Sequence, residues 1–462
     1  MKKYIFLLFA ILLGPSLLAQ NRDADAYFSL QQMPDASLFL PPPPDTASLL
    51  FADDMGQWLW GKSLRNTQRG SQASLESLYG VYRMCQIFSD VIGITLSSEA
   101  TPAIYHLLLR VSATAEHTIT NAKAKYMRKR PFVRMNEHVA GQYDDEASLR
   151  GNGSYPSGHT TLGWSTALAL AQVAPEVQDT ILRRGWEYGE SRVIVGAHWQ
   201  SDVDAARLAA SAGVARILGD PRYKADLEAA RAEFLRLWNA KPHRHSAGNA
   251  SQPAGFANSL RILPHPIDTA HRRFQGEVLS HWVAKGLRHT PRGAQAIADN
   301  DKSLAAYLSA LSLCLSVRLD TSTTPNMARY IQYVASAMGR ENRRVKDTLF
   351  RKRPYVQLGE ASLIPGDEER ERTDSSYPSG HSAMGWGVAL ATVELTEVGM
   401  NRVLQWGYEY GYSRVVAGYH WASDVQDARL IAAYTLVRLQ SESEFQKLFS
   451  AAQSELNALL RQ

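Results

Sequence analysis

Cysteine is nearly absent from this chain: only Cys85 and Cys314 occur in 462 residues. A fold that depends on a disulfide framework is thereby excluded. The two could form one bridge between the halves or remain buried thiols, and they are not equivalent positions of the repeat described below. Beyond the first twenty residues, no apolar run approaches the ~18 residues that a membrane-crossing helix needs, so no integral membrane span is expected. Long basic runs are also lacking. The 50 Lys and Arg are scattered among 45 Asp and Glu, leaving a formal charge of +5, which argues against nucleic acid as a partner. Alternating β-branched runs bounded by hairpin turns do not occur either.

The chain begins MKKYIFLLFAILLGPSLLAQ. Two lysines, a short apolar run and small Ala19 before Gln20 form the pattern of a cleaved secretory signal peptide over residues 1–19. A soluble protein outside the cytoplasm is expected, in a bacterial periplasm.

What the chain does have is repetition. LRNTQRGSQA at 64–73 recurs as LRHTPRGAQA at 287–296, 223 residues on, and Arg130-Pro131 recurs as Arg353-Pro354 at the same interval. LPPPPDT at 40–46 likewise returns as LPHPIDT at 263–269. SYPSGH at 154–159 returns at 376–381, now 222 on, so the loop between the blocks has lost one residue. A period this long is a duplicated domain, not a solenoid. Two domains, 20–240 and 257–462, are expected on either side of the polar stretch KPHRHSAGNASQPAGF at 241–256, which reads as a linker. His243 and His245 within it read as solvated, because no Cys or carboxylate cluster stands beside them.

Apolar spacings of three and four predict helices over Leu75–Ile94, Ala103–Met127, Thr160–Val173, Val177–Tyr188 and Asp202–Leu218. Each half should be a compact all-α domain whose loops carry the chemistry.

Three blocks, each present twice, concentrate that chemistry. In KAKYMRKRP, Lys123 and Arg130 are seven apart, which on a continuing helix would put them on one face, with Pro131 ending it. In GSYPSGHTT, Ser157 suits a helix N-cap, Gly158 permits a tight turn, and the orphan amides of a helix start favour an anion beside His159. In SRVIVGAHWQSDVDAAR, Arg192, His198 and Asp202 fall within eleven residues. A helix after Gly196 would bring His198 and Asp202 onto one face, so that the carboxylate fixes the imidazole tautomer and leaves the other nitrogen with a free lone pair. The second copies are Lys346 and Arg353; Ser379, Gly380 and His381; and Arg414, His420 and Asp424.

The ordered combination resembles the phosphatidic acid phosphatase type 2 superfamily. GSYPSGHT, SRVIVGAHWQSDVDAAR, FLPPPP and the RNTQRG stretch look in particular like the bacterial class A non-specific acid phosphatases. The resemblance covers nearly all of each half and implies an all-α fold of the type 2 phosphatidic acid phosphatase/vanadium haloperoxidase-like kind, in tandem. It implies that His198 and His420 are nucleophiles forming a phosphohistidine, with Asp202 and Asp424 orienting them. His159 and His381 would be the acid–base groups. Lys123, Arg130, Ser157, Gly158 and Arg192 would hold phosphate, as would Lys346, Arg353, Ser379, Gly380 and Arg414. It further implies an acidic optimum on small phosphomonoesters. With three cations per site no metal and no cofactor is required. The second half departs from the pattern at Asp374-Ser375 for Asn152-Gly153, Ser382 for Thr160 and Tyr412 for Glu190, which bears on substrate preference. Alternatives are a vanadium-dependent haloperoxidase, or one catalytic half with a phosphate-binding or structural partner half. The duplication also suggests a homodimer in one chain, with the halves packed on each other.

Overall fold

The computed structural model describes residues 25–240 and 257–461. The expected signal peptide and the 241–256 linker, with His243 and His245, lie outside the described residues. The helices of eight or more residues in the first half are α1 (Leu49–Ser63), α2 (Gln68–Leu75), α3 (Val81–Ile92), α4 (Pro102–Tyr126), α5 (Gly158–Val173), α6 (Gln178–Ile194), α7 (Gln200–Leu218) and α8 (Pro221–Asn239). The second half repeats the order as α9 (Phe274–Lys285), α10 (Pro291–Ala298), α11 (Leu304–Leu315), α12 (Pro325–Lys346), α13 (Gly380–Leu395), α14 (Met400–Val416), α15 (Ala422–Leu439) and α16 (Ser443–Leu460). Among the described residues there is no strand, as the spacing of apolar residues predicts. No described helix is long and apolar enough to cross a membrane.

The centre of each half is a helix without an amphipathic stripe. GHTTLGWSTALALAQV is small or apolar all round, and in α5 every residue but Gly158 and Gln172 is buried. Such a helix has to be surrounded, and α4, α6 and α7 enclose it. Close approach depends on glycine: a Cβ at Gly163 would lie 2.3 Å from the Tyr188 ring, and Gly385 stands equally close to Tyr410. One apolar cluster contains residues of both halves, including Trp164, Leu208 and Trp386. Across the halves Asp35 N donates to Asn401 Oδ1 at 2.9 Å, Arg216 pairs with Glu397 at 3.2 Å, and the Arg273 guanidinium lies 4.6 Å from the Trp60 ring centre.

Three local expectations are corrected. Leu75–Ile94 is not one helix, because the chain turns after Leu75 and α3 begins only past Gly80, whose φ is +119°. The segment from Lys123 to Arg130 is not one helix face either. Helix α4 ends at Tyr126, Met127 adopts φ +39°, and Arg130 is extended, as the residue before a proline prefers. Third, His198 stands outside the helix that follows it, since α7 begins at Gln200 with Trp199 as its N-cap. Cys85 and Cys314 are both free; Cys85 is buried, with burial pushing its thiol up to about 12, and Cys314 is half-buried.

Candidate active site

Each site is assembled from four segments, all at chain turns or helix ends. Helix α4 contributes Lys123 from its last turn, and the extended stretch after it contributes Arg130. The start of α5 contributes Ser157, Gly158 and His159; the last turn of α6 contributes Arg192. Gly196, at φ +79°, then reverses the chain toward His198, and a Cβ there would meet Arg65 Nη2 at 2.5 Å. The Arg192 carbonyl accepts from the backbone N–H of both Ala197 and His198, closing this turn.

His198 and His420 are buried, and one geometry fixes both tautomers. Arg130 Nη1 lies 2.9 Å from His198 Nε2, and Arg353 Nη1 lies 3.2 Å from His420 Nε2. A guanidinium can only donate, so Nε2 is the acceptor and the ring proton sits on Nδ1. At His420 that proton is donated to the Ser376 carbonyl oxygen at 2.6 Å; Ser154 is the corresponding residue of the first half. The expected imidazole–carboxylate hydrogen bond is not made. Asp202 Oδ2 is 3.5 Å and Asp424 Oδ2 3.6 Å from the respective Nδ1. Each carboxylate instead caps the helix, accepting from Trp199 N or Trp421 N at 2.8 Å, and pairs with Arg128 or Arg351 at 2.5 and 2.6 Å.

Burial pushes His198 well below its ordinary value, with Arg130, Lys123 and Arg192 adding to the effect. Burial likewise brings His420 down to about 3, against the opposing pull of Asp424. Both rings are therefore neutral in mild acid, with a lone pair on Nε2. Lys123 is pushed down to about 7 and Lys346 to about 8, by burial first and then by Arg130 and Arg353. They carry charge in mild acid and lose it in base.

His159 and His381 each direct Nε2 to a backbone carbonyl, Ser77 O at 2.9 Å and Asn300 O at 3.1 Å. That nitrogen holds a proton, which leaves Nδ1 for exchange with a ligand. Both rings are held well below the usual range, by burial first and then by Arg192 or Arg414. Ser157 is the N-cap of α5, accepting from Thr160 N at 3.3 Å, while its own N–H goes to the Asp202 carbonyl at 3.0 Å. Ser379 does the same in the second half. The two serines thus have their amides engaged, and Gly158 and Gly380 begin the helices beside them. A Cβ on Gly158 would lie 3.7 Å from Lys123 Cε. Arg192 is fully buried, with Nη2 on Asp144 at 2.7 Å and with Nε and Nη1 unpartnered.

Sequence reasoning missed Arg128, Arg351, Asp144 and the carbonyl of Ser77. Arg128 lay within the quoted KAKYMRKRP run, and its conversion from a solvated side chain to a buried bridge between Asp54 and Asp202 depends on α1. Among the described residues no three His, Cys, Asp or Glu stand together as a metal site would require.

The family described as the PAP2 superfamily matches residues 104–223 and again 326–441. The chain belongs to that superfamily and carries its domain twice, as two tandem helical units. Among the relatives, a protein named non-specific acid phosphatase from Providencia stuartii is 42% identical over 212 residues, 46% of this chain and 85% of the relative. A non-specific acid phosphatase of Salmonella typhimurium is 36% identical over 224 residues, covering 48% of this chain and 89% of that one. An acid phosphatase of Zymomonas mobilis is 36% identical over 200 residues, 43% and 75% of the two chains.

Proposed function

We infer that the protein is an acid phosphatase of the superfamily to which it belongs. It hydrolyses small phosphomonoesters through a phosphohistidine, at two sites and without a metal, in the periplasm. The observation that carries this reading is the neutral imidazole of His198, and again of His420, with Nε2 facing a guanidinium inside a group of three cations.

In the first site, a phosphoryl oxygen takes the Arg130 Nη1 donor from Nε2 and so frees the lone pair. Nε2 of His198 then attacks phosphorus, the P–N bond forms, and the P–O ester bond breaks. His159, which takes up a proton on Nδ1 from solvent as the phosphoryl group binds, gives that proton to the leaving alkoxide. It next removes a proton from the water that attacks phosphorus, and phosphate departs with His198 restored. Acid–base help of this kind contributes about 10²–10⁴ in rate. Lys123, Arg130 and Arg192 stabilise the charge that develops on the equatorial oxygens, the main electrostatic demand of phosphoryl transfer. Asp202, close to Nδ1 but not bonded to it, stabilises the positive charge on the phosphorylated ring. The same roles fall to His420, His381, Lys346, Arg353, Arg414 and Asp424. An acidic optimum follows, because mild acid charges the two lysines while both nucleophiles stay neutral. The apolar cluster shared by the two halves supports reading the chain as a homodimer in one polypeptide.

The test is hydrolysis of p-nitrophenyl phosphate in mild acid, with and without EDTA, by the wild type, His198→Ala, His420→Ala and the double variant. Partial activity in each single variant, none in the double, and indifference to EDTA are expected. A double variant that still turns over removes both histidines from the mechanism; one single variant that is inert reduces the protein to one catalytic half.

A further inference from the structure

The two sites share their cations but not the carboxylates around them. In the first half Arg130 Nε donates to the carbonyls of Leu149 and Asn152 at 3.0 and 3.1 Å, and Nη2 has only the Gly153 carbonyl at 3.5 Å. In the second half Arg353 Nε donates to the Glu371 carbonyl at 2.9 Å, which makes Glu371 the counterpart of Leu149 and Asp374 that of Asn152. Both replacements are acidic, and both reach the guanidinium. Arg353 Nη2 is engaged by the Glu371 carboxylate and by Asp374 Oδ2 at 3.2 Å, and Asp374 Oδ2 also lies 3.5 Å from Lys346 Nζ. The corresponding Lys123 Nζ meets only a backbone carbonyl, Gly153 O at 2.8 Å. Arg343 and Arg370, both largely exposed, flank the two carboxylates from outside.

The opposite exchange occurs at the third cation. Arg192 is paired with buried Asp144, whereas Arg414 donates to the Asn300 amide oxygen at 2.8 Å. Asp367, in the shortened loop of the second half, accepts from Asn300 Nδ2 at 2.9 Å and does not pair with Arg414 directly. The first site therefore sets one carboxylate against its three cations, on Arg192. The second sets two against them, on Arg353 and Lys346.

We propose that Glu371 and Asp374 determine ligand preference at the second site, making it a weaker binder of the phosphate dianion than the first. A dianion entering the second site competes for Arg353 Nη2 and Lys346 Nζ with two carboxylates already in place. In the first site the same donors face only backbone carbonyls. This rests on the phosphate-binding part of the proposed function, and not on turnover.

Calorimetric titration of the full chain with inorganic phosphate at neutral pH tests it. The wild type should show two steps whose affinities differ at least tenfold. Glu371→Leu with Asp374→Asn should bring the weaker step up to the stronger. The reverse exchange, Leu149→Glu with Asn152→Asp, should weaken the stronger step, and it decides the matter if the first variant fails to fold. In the His198→Ala chain, Glu371→Leu with Asp374→Asn should lower KM for p-nitrophenyl phosphate with little change in kcat. Two indistinguishable steps in the wild type, or a weaker step that the exchange leaves unmoved, overturn the proposal. Absence of hydrolysis alongside two unequal binding steps would instead overturn the catalytic reading and leave this one standing.

Discussion

The His420 Nδ1 atom stands 2.6 Å from the Ser376 carbonyl oxygen and 3.6 Å from the nearer oxygen of Asp424. The group that fixes the ring is thus the backbone. The carboxylate has other duties: it caps a helix and anchors a buried arginine, and it reaches the imidazole through space. Asp202 stands in the same relation to His198, at 3.5 Å.

From this relationship, Asp202→Asn should not behave like loss of the nucleophile. Asparagine can still accept from Trp199 N, and the ring keeps its tautomer, but the charge that stabilises a phosphorylated imidazolium is gone. An opposite charge this close is worth about 1–3 pKa units, ~1.4 kcal/mol each, so kcat in the His420→Ala chain should fall about ten- to a thousandfold. The melting temperature should fall too, because Arg128, buried between Asp54 and Asp202, loses one of its two carboxylate partners. A kcat as low as that of the double histidine variant would make the carboxylate, and not the carbonyl, the orienting group.

The proton inventory of His159 yields a second expectation. Burial, with Arg192 adding to it, holds this ring well below its usual value, so in mild acid it is neutral in the free protein. A phosphate dianion brings negative charge beside the same ring and reverses that electrostatic balance. Phosphate binding should therefore take up about one proton per site, an estimate that follows from this reversal. Calorimetry in buffers of different ionisation enthalpy measures the uptake, and His159→Gln should reduce it by about half, His381 accounting for the rest. Binding without proton uptake would mean that the acid arrives with the substrate.

How much of this was legible before the structure depends on where each residue lies in its helix. Ser157 was readable because an N-cap signal is local, three residues before the amide that it accepts. The one-face reading of Lys123 and Arg130 failed at Met127, a residue without β-branching or glycine to announce the φ of +39° that ends α4. The four-residue spacing of His198 and Asp202 was read as a helical turn. It is the spacing of a residue before an N-cap and the third helical position after it, which brings the two side chains almost as close. Asp374 is visible as a departure of the second copy from the first, but Asp144 and Glu371 carry no signal, because short non-repeating segments bring them onto cations eighteen or more positions away. The duplication was the strongest signal, since two copies with equal intervals distinguish shared chemistry from a single surface histidine.

The last prediction concerns stability. Asp427 lies where α15 faces α7 of the other half, buried, and accepts a hydrogen bond from Tyr377 Oη at 3.0 Å. Burial pushes its carboxyl up to about 7, with Asp204 of the other half adding to the shift and Tyr377 and Arg207 opposing it. In an unfolded chain the same group titrates near ~3.9. A raised value means that the native state binds the proton more tightly than the unfolded state does. The stabilisation is therefore complete below the unfolded value and is lost as the pH climbs through about 7. Asn in its place keeps an oxygen for Tyr377 and never carries the charge. Asp427→Asn should accordingly leave the melting temperature almost unchanged only below pH ~3.9, and its advantage should grow as the pH rises from there to about 7. The substitution should raise the melting temperature at mildly alkaline pH by about 3 °C for each kcal/mol of relieved repulsion and desolvation. The buried histidines shift stability in the opposite sense, losing it as the pH falls, but they are common to both proteins and cancel in the comparison. Equal melting temperatures at every pH would mean that Asp427 stays in one protonation state throughout.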